Sequence, residues 1–136
     1  MALVSASLPP TVAHAVRGIG VDAVDVERFR ESLRRTPSMR TRLFTPAELE
    51  YVRPKIDPVP SLAARFAARE AVMKAMGLGL GAFGFHEAWV DRAESGEPSL
   101  VITGRAADLA AQRGITAWRL SITHTSSVAI AYVVAL

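Results

Sequence analysis

The run Arg65-Phe66-Ala67-Ala68-Arg69-Glu70-Ala71-Val72-Met73-Lys74-Ala75-Met76-Gly77 constrains this chain more than any other. It reads as a helix that opens near Ser61, its expected N-cap, and runs to about Met76. Gly77 then supplies the left-handed C-terminal turn. The helix buries an apolar stripe, which must pack on another layer. Residues four apart share a helical face, so Glu70 and Lys74 stand together, one turn apart. They lie at the mouth of a loop containing Gly77, Gly79, Gly81 and Gly84, where backbone amides can approach a ligand. A carboxylate, an ammonium and exposed amides suit a metal ion and the phosphates it bridges. A simpler reading is a solvated i,i+4 ion pair worth ~0.3–0.5 kcal/mol.

Elsewhere the chain alternates strand and helix signals. Val16 to Asp22 reads as a strand in which Gly18 and Gly20 allow close backbone approach. Val24 to Leu33 is ambiguous, although Val26, Phe29 and Leu33 fall at helical spacing. Thr45-Pro46-Ala47-Glu48 is a helix start: a Thr cap, Pro at the first position and Glu three after the cap. That short helix should end near Arg53, and Asp57-Pro58-Val59-Pro60 should be a rigid connector. Glu87 to Arg92 and Ser99 to Thr103 predict a hairpin, Arg105 to Arg113 a helix, and Trp118 to Thr123 with Val128 to Val134 a final strand pair. The order argues an α+β fold with helices on one sheet face.

Composition narrows the function classes. At 136 residues, half of them apolar, the chain suits a single domain with a real core. It has no cysteine, which excludes disulfides and thiolate metal sites and fits a reducing, cytoplasmic setting. No run approaches the ~20 apolar residues that a membrane helix needs, so no membrane partner is expected. Met1 to Ala15 lacks a basic n-region and reads as a poorly ordered extension, not a signal peptide; residues 16–136 form the expected domain. The net charge of +3 is carried mostly by Arg, which suits phosphate or carboxylate partners.

Taken singly, the chemistry-bearing residues have bland explanations. Asp22 could cap the segment after its strand. His124 could be a hydrogen-bonded packing residue, and the arginines of 28–42 a solvated face. The glycines after Lys74 are not a P-loop, because the order Gly-Lys-Ser/Thr is absent.

Their order and spacing change the reading. The segments are Gly18-Ile19-Gly20-Val21-Asp22-Ala23-Val24-Asp25-Val26-Glu27-Arg28-Phe29, Phe44-Thr45-Pro46-Ala47-Glu48, the helix from Arg65 to Gly77, Gly96-Glu97-Pro98, and Ser121-Ile122-Thr123-His124-Thr125. Together they resemble the holo-acyl-carrier-protein synthase family, the small 4'-phosphopantetheinyl transferases, over about residues 16 to 135. One departure is Arg69, where the family commonly has Lys; the planar fork replaces a point charge, and phosphate geometry is expected to shift with it.

The resemblance implies the 4'-phosphopantetheinyl transferase fold: an antiparallel sheet packed against a long helix, in a single pseudo-half unit that oligomerises, here as a homotrimer with active sites between subunits. It implies transfer of 4'-phosphopantetheine from coenzyme A to a serine of an apo acyl carrier protein, of fatty acid or polyketide synthesis, with 3',5'-ADP leaving. Asp22 and Glu70 match the family's Mg²⁺-binding pair. Lys74 would neutralise phosphate charge, and Glu70 is the candidate proton acceptor. His124, Arg65 and the backbone from Gly77 through Gly79 to Gly81 would meet coenzyme A. Arg28 matches a residue that docks the acidic carrier, with Arg30, Arg34, Arg35 and Arg42 as neighbours. The competing reading is a non-enzymatic basic module that binds acidic helices or nucleic acid. It explains the arginines but not the joint pattern of Asp22, Glu70 and Lys74, and it lacks the signatures of common RNA modules, so no nucleic acid is expected. A third reading is a domain of a larger synthase that modifies its own carrier.

Overall fold

The long helix predicted around Glu70 is the axis of the fold. A computed structural model describes residues 15–136; the expected N-terminal extension lies, but for Ala15, outside the described residues. Along the chain the elements are β1 (Gly18–Asp25), α1 (Val26–Arg35), α2 (Met39–Leu43), α3 (Pro46–Val52), α4 (Val59–Ala75), β2 (Ala88–Arg92), β3 (Pro98–Ile102), α5 (Gly104–Gln112), β4 (Trp118–His124) and β5 (Val128–Ala135). The α+β expectation holds. A three-stranded antiparallel sheet has the order β1-β5-β4, and β2 and β3 form a separate hairpin. Among the described residues no helix is long and apolar enough to cross a membrane.

Several local predictions are met. Thr45 and Glu48 make a reciprocal capping box that opens α3. Val26, Phe29 and Leu33 are the buried face of α1. Gly77 takes a φ of +70°, and the amide of Leu78 returns to the carbonyl of Met73 at 2.8 Å, closing α4. Other predictions need correction. The first strand continues past Asp22 to Asp25, because β5 is long enough to pair Asp25 with Val128. Asp25 then caps α1 by accepting from the Arg28 amide at 2.9 Å. Ser61 is not the cap of α4. The helix starts earlier, at Val59, with Pro60 in its first turn, where a missing N–H costs nothing. The Ser61 hydroxyl instead accepts from the Arg65 guanidinium at 3.0 Å.

Burial of α4 goes well beyond a stripe: 13 of its 17 residues are buried. Its first half packs with α1, α3 and the loop before β2 around Phe29, Phe44 and Leu62. Its second half packs on β2, α5, β4 and β5 around Val72, Met73 and Val133. Contact with β1 is closer than side chains would allow. A Cβ on Gly18 would fall 1.8 Å from the carbonyl oxygen of Ala75, and one on Gly20 would fall 1.9 Å from that of Ala71. Both glycines are therefore required by helix-on-strand contact, as the sequence suggests.

Central β5 turns Ala129, Ala131, Val133 and Ala135 onto α4, all fully buried. The opposite face of the sheet is uncovered in the single chain. There Ile19 is 55% exposed, Val21 49% and Tyr132 44%, and register sets Val21 beside Tyr132 and Ile19 beside Val134.

Candidate active site

Only a narrow line of α4 reaches solvent beyond its first turn: Phe66, Glu70 and Lys74, spaced by four. The glycine contacts with β1 bring that line beside Asp22. Asp22 and Glu70 line one cleft of about 340 Å³, together with Ala23, Val24, Asp25, Arg28, Phe29, Ser32 and Phe66. Phe29 and Phe66 stack at 5.5 Å between ring centroids and form its apolar wall. Sequence reading misses this wall, because both rings look like ordinary core residues at helical spacing.

Lys74 pairs with Asp22 rather than with Glu70. Its Nζ donates to Asp22 Oδ1 at 2.9 Å and to the Val21 carbonyl at 3.0 Å. The i,i+4 pair expected within the helix gives way to a contact between helix and strand. Glu70 is left half-buried near a second carboxylate. Burial first, and then the Asp22 charge, raise its pKa above the ordinary value, with Lys74 opposing them. Two carboxylates against one ammonium leave an excess of negative charge that suits a hard divalent cation. Among the described residues no cluster of three or more His, Cys, Asp or Glu side chains is assembled; Asp22 and Glu70 are the two carboxylates at this cleft that could hold a metal. That fits Mg²⁺, which keeps waters and phosphate oxygens in its remaining positions.

Beyond Lys74 a basic groove of about 590 Å³ runs past Arg17, Gly18, Met76, Gly77 and Arg113. Arg113 donates to the carbonyls of Met76 and Leu109, both at 3.1 Å, and so caps the end of α4. Gly79 is exposed in the loop that follows.

Other expected site residues lie apart from this cleft in the single chain. His124 ends β4, exposed, in register with Ala129. Arg65 is 1% exposed and lines a different cleft, of about 350 Å³, with Tyr51, Trp89 and Arg92. Its guanidinium sits 4.5 Å from the Tyr51 ring centroid, and its Nε, like that of Arg92, is buried without a hydrogen-bond partner. Of the expected docking arginines, Arg28 faces the Asp22 cleft. Arg30 is held by Asp57 and Glu27, and Arg34 by Glu31, so their charges are largely met within the chain.

The expectation that Arg69 would adjust phosphate geometry is overturned. Arg69 is 1% exposed and points inward, away from the cleft that holds Glu70. It forms a two-pronged ion pair with buried Glu48, with Nη1 at 2.9 Å from Oε2 and Nη2 on Oε1. Nothing in the capping motif around Glu48 signals that its carboxylate also serves a residue 21 positions away.

The chain belongs to the 4'-phosphopantetheinyl transferase superfamily, whose sequence model matches residues 18–133. Within that class it is similar to the holo-[acyl-carrier-protein] synthase of Micrococcus luteus, at 48% identity over 120 residues, covering 87% of this chain and 90% of that protein. The fold matches the crystal structure of holo-[acyl-carrier-protein] synthase from Neisseria meningitidis with a TM-score of 0.80 and 31% identity, covering 89% of this chain and 98% of that one. It also matches the Helicobacter pylori synthase in complex with coenzyme A, with a TM-score of 0.76 and 27% identity over 87% of this chain and 99% of that one.

Proposed function

We propose that this protein transfers 4'-phosphopantetheine from coenzyme A to a serine of an apo acyl carrier protein. The observation that carries the reading is the joint placement of Asp22, Glu70 and Lys74 at one cleft edge, in a chain of this superfamily. The serine oxygen attacks the β-phosphorus of coenzyme A. A serine O–P bond forms, the bond from that phosphorus to the bridging oxygen breaks, and 3',5'-ADP leaves. Such transfer depends mainly on positioning and charge neutralisation.

Asp22 and Glu70 would hold Mg²⁺, which when bound supplies positive charge to the pyrophosphate. Lys74 is half exposed and so is free to swing from Asp22 toward the phosphates. Glu70, at the cleft edge beside Asp22, is the candidate acceptor of the serine proton. Gly77 and Gly79 offer open backbone, and the basic groove beside Lys74 suits further phosphate charge.

The protein would act as an oligomer, in this proposal a homotrimer with sites between subunits. The uncovered face around Ile19, Val21 and Tyr132 is an apolar patch that an oligomer would bury. Arg65 and His124, remote from the Asp22 cleft here, would then serve the coenzyme A site of a neighbouring copy. The orphaned guanidinium atoms of Arg65 and Arg92 suit an anionic group of that substrate. Arg28, on the cleft rim, is the docking residue for an acidic carrier helix. The cysteine-free composition supports a reducing, cytoplasmic setting for this work.

Intact-mass spectrometry of an apo carrier protein incubated with the protein, coenzyme A and Mg²⁺ tests the reading. A gain of one phosphopantetheine mass, lost with EDTA and with Glu70→Ala, is expected. No gain with several apo carriers would overturn it and favour the basic binding module.

A further inference from the structure

We propose that Glu48 and Arg69 form a buried clamp that sets the rotation of α4 and thereby positions Glu70 against Asp22. This inference rests on the assignment of Glu70 and Asp22 to the active site.

The contact between helix and strand leaves room for such a device. Toward β1 the helix offers Ala71 and Ala75, and the strand answers with Gly18 and Gly20. That contact is backbone on backbone, with no large side chains to interdigitate. It fixes how close the helix lies; the turn about its axis is set on the other sides, by the packing of Leu62, Val72 and Met73 and by whatever directional bonds add to it. The turn matters for chemistry. Side-chain tips ride roughly 5–6 Å from a helix axis, so a 20° rotation would move a carboxylate by about 2 Å. Misplacement of about 1 Å in a reacting group can cost on the order of 100-fold in rate.

Arg69 supplies directional bonds. Its Nε donates to the Phe85 carbonyl at 2.6 Å, and its Nη1 donates to the Arg65 carbonyl at 3.1 Å and to Glu48 Oε2 at 2.9 Å. Its Nη2 completes the fork on Glu48 Oε1. Glu48 in turn accepts from the Thr45 amide at 3.0 Å and the Val90 amide at 3.2 Å. The pair therefore ties α4 to the cap of α3, to β2 and to the loop that precedes β2. Phe44 flanks the guanidinium, 5.3 Å from ring centroid to Cζ. Both residues are 1% exposed, and the polar atoms of both are paired. Glu70 is the next residue along the helix, so its direction follows from that of Arg69. Arg69 and Glu48 touch neither cleft nor substrate; they are positioning residues.

The test separates position from fold. In Glu48→Met/Arg69→Met an apolar pair of similar length replaces the ion pair, a change that cores often tolerate without loss of stability. The expected result is a folded protein whose kcat and Mn²⁺ affinity, the latter read by electron paramagnetic resonance, each fall about tenfold or more. The KM for the carrier protein stays near wild type. Arg69→Lys keeps the cation but loses the planar fork, so its kcat and Mn²⁺ affinity should fall between those of wild type and the double variant. A folded double variant with wild-type kcat and Mn²⁺ affinity would overturn the proposal. Should the double variant fail to fold, Glu48→Gln decides: it keeps the shape but turns one acceptor into a donor, and wild-type kcat and Mn²⁺ affinity there would overturn it equally. Glu70→Gln run alongside distinguishes the two levels. If that variant still transfers, the site assignment fails; if it is inactive while the clamp variants match wild type, only the clamp fails. Wild-type protein that neither binds Mn²⁺ nor modifies a carrier would remove both.

Discussion

Helix α4 carries two cation–carboxylate pairs, and they differ in almost every physical respect. Arg69 and Glu48 are sealed in the core, with side-chain exposures of 1% and 0%. Every limb of the fork has an acceptor, and the carboxylate takes two backbone amides as well. Lys74 and Asp22 meet at the surface, with side-chain exposures of 52% and 15%. Beside them Glu70 has a raised pKa and no partner of its own among the ion pairs of the described residues. A saturated pair specifies geometry, because any displacement breaks several bonds at once. An unsaturated group of charges keeps capacity for a ligand. The same helix thus carries a saturated, holding pair on one side and an open group of charges, the proposed reacting side, on the other.

The largest expected break in this contrast comes from Glu70→Gln. It should lower transfer by about 10²–10⁴-fold while leaving the circular dichroism and melting curve near wild type. A melting temperature that collapsed instead would move Glu70 from the reacting side to the holding side.

Next come the pairs themselves. Arg69→Ala leaves a buried carboxylate uncompensated and should cost about 3–5 kcal/mol in denaturant unfolding. Lys74→Ala at the exposed pair should cost no more than about 1 kcal/mol. Equal losses would erase the distinction between the two pairs.

Gly20→Ala tests how the reacting side is assembled. The new methyl would lie 1.9 Å from the Ala71 carbonyl oxygen, so helix and strand must separate. A cost of about 1–3 kcal/mol is expected, together with a fall in kcat as Asp22 parts from Glu70. Full stability and activity would show that the contact is dispensable.

A smaller effect concerns docking. Arg28→Glu should raise the KM for the carrier protein, increasingly at low salt, and leave coenzyme A binding near normal. An unchanged KM would remove Arg28 from the docking surface.

The finest test is the titration of Glu70 in the metal-free protein, followed by carboxyl ¹³C NMR. Because Asp22 raises its pKa and Lys74 lowers it, Asp22→Asn should shift the midpoint down and Lys74→Met should shift it up. The folded protein holds this proton more tightly than the unfolded chain. Glu70 therefore costs stability as pH rises through the unfolded and then the folded pKa, and the cost is complete above the latter. If Glu70 acts as proton acceptor, transfer should rise with pH over that same interval.

Much of the local structure could be read from the sequence, because short-range rules decide it. The Thr45–Glu48 box, the α1 face of Val26, Phe29 and Leu33, and the stop at Gly77 each depend on residues within a few positions. Spacing also placed Glu70 and Lys74 on one helix face, and two glycines marked where β1 would meet a helix. What spacing could not supply was the direction of each face in three dimensions. Whether Arg69 points to phosphate or to core depends on how α4 is turned against its neighbours, and that is set by a partner 21 residues away. The choice of Asp22 over Glu70 by Lys74 likewise spans 52 residues. Ser61 looked like a cap because its hydroxyl could serve one; the packed helix begins earlier, and that hydroxyl binds Arg65 instead. Sequence by itself determined the elements and the chemical inventory of the site, because backbone preference and periodicity are local. The tertiary structure alone decided which charges are spent on one another and which stay open, because burial and long-range contact set the energy of each pair.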